Sequence, residues 1–474
     1  MTYMQAFRLA LPALLLTGCG AVATRQAGVD AQPLVGGPEP VQTVAYEQPL
    51  PVEQATDTIL LQQPVDLVQE EGVGAASPRR LPAATTALSL GDLEQLALAN
   101  NPSIKQAHAK VRALRGKRVQ AGLPPNPTIG YAGSEIGDDG AAGQQGGYVA
   151  QEYIVAHKLR RDQAIVTAEI RRAEQDVAAA ERRVKSDVRR RFYEVLLAQR
   201  RVELTQELTQ LSDRAADASR ALLEAQEIPV AGLLQTEIQQ RNASLRAVTA
   251  ANRLEQSWRE LSAVLGAGQM PDQPLVGDLT VLPDPLDWEA ELARLQTQSP
   301  ELAAAIAEVE RARRVLNRAC VEPRPNITSQ VGVQYDYASG DAIAGVQVGL
   351  PLPLWNRNQG AICEAQAEIT RTRRNVDRVE LALQERLASA FREFADARVT
   401  AETYQQELLP RSQQTFQLVE TGYQEGEIGY LAMLAAQQTN SETSLAYLEA
   451  LGSLWRSKVL IDGLLLEGSL NAEY

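Results

Sequence analysis

Past residue 88 the chain carries one order of elements twice, and this duplication limits its folds more than any other feature. Pro125-Asn126 recurs as Pro325-Asn326, and Gln206-Glu207-Leu208 as Gln406-Glu407-Leu408. Ser212 recurs as Ser412, Glu227-Ile228 as Glu427-Ile428, and Leu234 as Leu434. With a small slip, Asn101-Pro102 matches Ser299-Pro300 and Trp258-Arg259 matches Trp455-Arg456. Each copy reads as helix, hairpin, long helix, break and returning helix. A period of this kind marks a duplicated unit and is decisive for the fold.

The clearest strands lie in the second copy. From Ile327 the residues alternate: Ile327, Val331, Val333, Tyr335 and Tyr337 on one face, and Thr328, Gln330, Gly332, Gln334 and Asp336 on the other. Ser339-Gly340-Asp341 supplies a turn. Alternation then resumes, with Ala344, Val346, Val348 and Leu350 set against Gly345, Gln347 and Gly349. Period two on both sides of a turn predicts a β-hairpin. An apolar, aromatic face opposite a polar or small one suits a transmembrane barrel strand, and it also permits a soluble amphipathic hairpin. The matching hairpin of the first copy, over 127–136 and 146–155, alternates more weakly, with Ile129 and Tyr131 on one face.

Helices account for most of the remaining length. Between Arg160 and Gln226 there is no proline or glycine, and Ala, Glu, Arg, Gln and Leu dominate, which favours helix. Ile170, Val177, Val184, Val188 and Val195 form one seam. Leu204, Leu208, Leu211, Ala215, Ala218 and Leu222 continue it in steps of about four and three residues. At 1.5 Å per residue such a helix is about 100 Å long. The copy over 359–425 repeats the pattern with Leu387, Phe391, Phe394, Ala401 and Leu408, and Pro410 is expected to kink it. Breaks at Glu227-Ile228-Pro229-Val230 and Gly426-Glu427-Ile428-Gly429 turn each rod back on itself. By themselves, rods of this kind also fit a plain coiled-coil spacer.

The first 18 residues read as an apolar signal segment, too short to span a membrane as a helix. Leu16-Thr17-Gly18-Cys19 at its end resembles a lipoprotein cleavage site, so Cys19 is expected to be lipidated, and Gly20 after it favours outer-membrane sorting. Residues 19–87, rich in Pro, Gln, Val and Ala, read as an extended tether. Ser89 then caps a short helix that Asn100-Asn101-Pro102 ends. The first repeat covers 88–270, a linker with a short helix 271–299, the second repeat 300–466, and a tail 467–474.

Lys and Arg number 46 against 59 Asp and Glu, a formal charge of −13, which disfavours nucleic acid as a partner. The two histidines, His108 and His157, do not cluster, and no nucleophile elbow, phosphate loop or metal-spaced His/Cys set is present. No enzymatic activity, cofactor or metal site is expected. No run after the signal is long and apolar enough for a transmembrane helix, so any membrane passage must use strands. Four strands cannot close a barrel alone, so two, three or four chains must share one.

The duplicated helix–hairpin–long-helix pattern over residues 88–466 resembles the outer-membrane efflux proteins, the TolC-like family. The carrying residues are Asn100-Asn101-Pro102, Leu408-Leu409-Pro410, Tyr423 followed by Gly426, and Leu434-Ala435-Ala436-Gln437. Leu352-Pro353-Leu354 with Arg357-Asn358-Gln359-Gly360 is similar to the helix re-entry of the cation-efflux members. The resemblance implies a mainly α fold with a small β part. Long helical hairpins would form a trimeric α-barrel across the periplasm, and four strands per chain would complete a 12-stranded barrel in outer-membrane lipid. It also implies a periplasmic adaptor, or membrane fusion protein, and an inner-membrane pump as partners, with passive flow through the duct. Some members carry an acidic gate pair on the last helix, and here Ala432 and Ala435 occupy those places.

These readings set the site expectations. Ile327, Val331, Val333, Tyr335, Tyr337, Val346 and Val348 face lipid. Glu227, Ile228, Pro229, Gly426, Glu427, Ile428 and Gly429 form the periplasmic tips that meet the adaptor. Glu224, Glu227, Glu425 and Glu427 are candidate charges at the pore mouth. Cys320 and Cys363 fall at similar heights below the strands, where an oxidising compartment permits a disulfide, the alternative being two free thiols. The rival function is a coiled-coil lipoprotein acting as adaptor or spacer.

Overall fold

Why the chain repeats as it does is clearest at its helix junctions. A computed structural model describes residues 89–140, 142–268 and 275–472. The signal segment, Cys19 and all of the tether lie outside them. Helix α1, Leu90–Asn100, starts at a capping box: Ser89 Oγ accepts from the Asp92 N–H, and the Asp92 carboxylate accepts from the Ser89 N–H. Asn101 ends α1 and caps α2, Pro102–Gln120, its Oδ1 accepting from the Ser103 N–H at 2.9 Å. The second copy uses the same device. Helix α5, Trp288–Gln298, ends at Ser299, whose hydroxyl caps α6, Pro300–Ala319. A side-chain acceptor followed by proline satisfies the first helical amides and needs no N–H at the position that cannot use one.

Each copy then enters a hairpin. Strand β1, Thr128–Ser134, is shorter than the expected span, and β2, Gln144–Tyr153, keeps the expected length but begins and ends two residues earlier. Strands β3, Ile327–Asp336, and β4, Ala342–Gly349, follow α6. The four form one antiparallel sheet in the order β1-β2-β3-β4, so β2 and β3 join the two copies. Where β2 crosses β3, a Cβ on Gly146 would lie 2.0 Å from the Val333 carbonyl oxygen, so only glycine fits.

Helix α3, Lys158–Glu224, runs 67 residues without a break, and α4, Val230–Leu265, returns along it. In the second copy the descending rod is α7, Gln359–Thr403, a π-helical turn at Tyr404–Leu408, then α8, Leu409–Gln424. Helix α9, Tyr430–Asp462, returns. Instead of a simple proline kink, the π turn takes up the defect. Pro410 has no N–H to continue the ladder, and Leu409 donates to the Tyr404 carbonyl five residues back.

One large core ties the copies together at mid-height. Val184, Val188 and Val195 of α3 are fully buried there with Leu93, Leu261, Leu265, Leu387, Leu451 and Leu454. The upstream seam of α3 is buried as its spacing predicts. Of the downstream seam Ala215 alone is buried, together with Thr205, Ser212, Ala216 and Ser219, which lie off it. Ala218 is exposed, Leu222 is half-buried, and Leu204, Leu208 and Leu211 are half-buried along a groove shared with Leu275 and Leu279. The C-terminal segment is pinned by Asp187, whose carboxylate accepts from the N–H groups of Gly468 and Ser469 at 3.0 and 2.6 Å.

Candidate functional site

Two regions carry the functional geometry: the sheet, and the ends of the two helical hairpins. On one face of the sheet the register aligns Ile129, Val149, Val331 and Val346 in a row across all four strands. Every member is exposed, Ile129 by 81% and Val346 by 73%. Val333, Tyr335, Tyr337 and Val348 extend this apolar surface, as does the less exposed Ile327. Tyr335 and Tyr337 meet edge to face at 5.0 Å. The opposite face carries Gln144, Gln330, Gln334 and Gln347, with Gly130, Tyr148, Gly332 and Gly345 in one row. Strands β1 and β4 each have one neighbour, so both outer edges present unpaired backbone groups. Among the described residues no helix is long and apolar enough to cross a membrane.

The hairpin ends are built alike. Gln226 and Gly426 both sit in the left-handed region, at φ 61° and 80°. The next residue closes the same six-to-one hydrogen bond in each: Glu227 N–H to Leu222 O at 2.9 Å, and Glu427 N–H to Gly422 O at 2.8 Å. Ile228 and Ile428 fold back half-buried, and Gly422 leaves room for the Ile428 side chain, whose Cδ1 would be 2.7 Å from an added Cβ. Pro229 and Gly429 then stand directly before the returning helices. Glu224, Glu227, Glu425 and Glu427 are exposed, and none makes a side-chain hydrogen bond or ion pair among the described residues. Ala432 and Ala435 are exposed as well.

Sequence reasoning missed a tie between the two hairpins just above these tips. Tyr430 opens α9, and its hydroxyl lies 2.5 Å from Ser219 Oγ and 2.8 Å from Thr236 Oγ1, and donates to the Ala215 carbonyl at 3.3 Å. Ser219 and Thr236 are 0% and 1% exposed. Beside it Tyr423 packs on Tyr430 with ring centroids 5.8 Å apart. Burial raises the Tyr423 phenol above its ordinary pKa, and the neighbouring Tyr430 and Glu227 add to the shift. Each partner looks unremarkable in sequence, since a lone Tyr, Ser or Thr in a helix carries no signal.

Cys320 and Cys363 are both exposed free thiols, so the bridge allowed by their heights is not formed in this structure. His157 stands before α3 in the left-handed region at φ 55°, as Asn358 does before α7 at φ 61°, and both are re-entry turns. No group of three or more His, Cys, Asp or Glu able to hold a metal occurs among the described residues.

A family profile described as outer membrane efflux protein matches residues 93–267 and 292–465, most of both copies. The chain belongs to this family. Its sequence is 25% identical over 380 residues to the cobalt-zinc-cadmium resistance protein CzcC of Cupriavidus metallidurans, covering 80% of this chain and 90% of that one. Among solved structures, CusC superposes with a TM-score of 0.66 at 18% identity, covering 83% of this chain and 98% of its own. The outer membrane protein VceC of Vibrio cholerae gives 0.65 at 16%, covering 80% and 96%. The fold is that of the TolC-like trimeric channels, whose α-barrel and shared 12-stranded β-barrel take two helical hairpins and four strands from each chain. This protein is the outer-membrane channel of a tripartite efflux pump.

Proposed function

We propose that this channel is the passive exit duct for divalent metal cations, delivered by an inner-membrane pump through a periplasmic adaptor that docks at the hairpin tips. The barrel closes by pairing the β4 edge of one chain with the β1 edge of the next, and the row from Ile129 to Val346 meets lipid. The observation that carries this is the four-stranded sheet with two open edges and one exposed apolar face. Unpaired backbone is not tolerated in hydrocarbon, and an apolar face of this size is not left to water. The cation class is supported by the similarity to CzcC along 90% of that protein's length. Docking at Glu227-Ile228-Pro229 and Glu427-Ile428-Gly429 is supported by the matching geometry of the two tips, which three chains would repeat six times around one mouth. Cys19 is proposed to carry the lipid that anchors the chain beside its barrel.

The test is a deletion strain complemented with the wild-type chain or with Gly429→Trp. Deletion should lower tolerance to cobalt, zinc or cadmium. The Gly429→Trp chain should reach the outer membrane as a trimer without restoring tolerance. Unchanged metal tolerance on deletion refutes the cargo, and full rescue by Gly429→Trp refutes docking at the tips.

A further inference from the structure

At the height of the large core, α3, α4 and α9 together form a groove with a volume of about 690 Å³. It runs along one helical stripe: Arg190, Glu194, Leu197 and Arg201 on α3 recur every third or fourth position and so share a face. Phe192 and Leu196 point the other way, against Gly277. Arg253 of α4 and Arg456 of α9 complete the groove's charged wall from either side.

The charge balance there runs against the chain as a whole. Five arginines, Arg190, Arg191, Arg201, Arg253 and Arg456, face three carboxylates, Glu194, Glu260 and Glu449. All three carboxylates are already engaged. Arg191 bonds Glu194 at 2.7 Å and also Glu260, and Arg201 bonds Glu449 at 3.0 Å. Arg190 is paired outside the groove, with Glu467 at 3.1 Å and Asp187 at 3.8 Å, so the unpaired charge is that of Arg253 and Arg456. Arg253 and Arg456 have no side-chain hydrogen bond or ion pair among the described residues. The Nε atoms of Arg190 and Arg191 are buried without an acceptor. Elsewhere on these helices an arginine commonly finds its carboxylate three or four residues away, as Arg220 finds Asp217 and Arg259 finds Glu255.

We propose that the groove binds a small oxyanion of the phosphate or carboxylate class, held between Arg253 and Arg456 over the Arg190–Arg191 wall. Guanidinium forks match the oxygen spacing of such anions and stay charged at any physiological pH. Arg253 and Arg456 reach the groove from its exposed rim, and the buried Nε donors of Arg190 and Arg191 gain most from an acceptor. The inference uses only the α3–α4–α9 face and is independent of the metal cargo.

Equilibrium dialysis of the full-length trimer against radiolabelled inorganic phosphate, in low-chloride buffer, tests it. The expected result is saturable binding of one phosphate per chain. Arg253→Gln with Arg456→Gln should weaken it roughly tenfold or more, and Arg253→Lys with Arg456→Lys should recover part of the affinity. If the double variant fails to trimerise, the two single variants are measured, and each should weaken binding. Uptake that is linear in phosphate, or saturable uptake unchanged in these variants, overturns the proposal. Capture of polyglutamate without phosphate binding also overturns it, and would assign the groove to an acidic protein segment.

Discussion

Gln226 holds the left-handed position of a turn that its counterpart fills with Gly426. A side chain there costs about 1–2 kcal/mol in backbone strain, part of which glycine returns as unfolded-state entropy. Gln226→Gly is therefore expected to stabilise the first tip by about 0.5–1 kcal/mol, read as slower proteolytic cleavage near residue 226. Faster cleavage would show that the Gln226 side chain stabilises the turn in some other way. Tyr430 poses the converse case. Its hydroxyl is shared by Ser219, Thr236 and the Ala215 carbonyl in a site closed to water. Removing it leaves buried groups short of a partner, at a cost of about 1–3 kcal/mol. Tyr430→Phe should loosen α9 from the first hairpin and raise hydrogen exchange near residues 215–219 and 430–434. Unaltered exchange would mean the tie does not hold the hairpins together.

At the level of elements, the sheet and the rods are held by different forces. The β2–β3 crossing depends on backbone proximity at Gly146, where the obstructing atoms are the Val333 oxygen and the Gln334 Cα rather than a movable side chain. Gly146→Ala should therefore break the join between the two hairpins and reduce heat-resistant trimer in the outer-membrane fraction to a minor part. Wild-type trimer levels would refute that account. In the rods, the mid-height core is large and apolar, whereas the cluster near the tips contains, among the described residues, only Ala215, Tyr430 and Leu434 as buried apolar members. Between the two, Thr205, Ser212 and Ser441 are buried. Thr205 and Ser441 each return their hydroxyl to a carbonyl four residues back. Side chains that satisfy themselves do not lock one helix to the next. The tip end is thus the low-stability end of each hairpin, where an opening movement needs least energy.

For the whole molecule, the charge at the mouth follows from assembly. Glu227 and Glu427 stand at matching places on neighbouring tips, so three chains would place six carboxylates around one mouth. A confined ring of one sign focuses potential and attracts counter-ions, most at low salt. Glu227→Gln with Glu427→Gln should reduce cation selectivity of the trimer in planar bilayers, seen as a shift of reversal potential toward zero at low salt. Identical reversal potentials would place these carboxylates away from the ion path. The lipid proposed on Cys19 is tested by Cys19→Ser, which should abolish labelling with a fatty-acid analogue. Label retained on the variant would exclude Cys19 as the acceptor.

Local rules made much of this protein legible in one dimension. Period-two alternation marked β3 and β4, because side chains of a strand point to opposite faces whatever lies beyond them. The absence of proline and glycine from 160 to 226 foretold α3, and the repeat foretold that both tips would turn alike. Which stripe of a long helix is buried was not local. Leu204, Leu208 and Leu211 read as the seam, yet α4 and α9 pack against the stripe of Thr205, Ser212 and Ser219, and the leucines line the groove shared with residues 275–280. Pro410 announced a missing N–H, but whether the rod bends or takes a π turn depends on its neighbours. The Tyr430 tie joins residues up to 215 positions apart, and the arginine groove draws on three helices. Contacts of that kind leave no periodic trace, because their geometry exists only once the hairpins lie side by side.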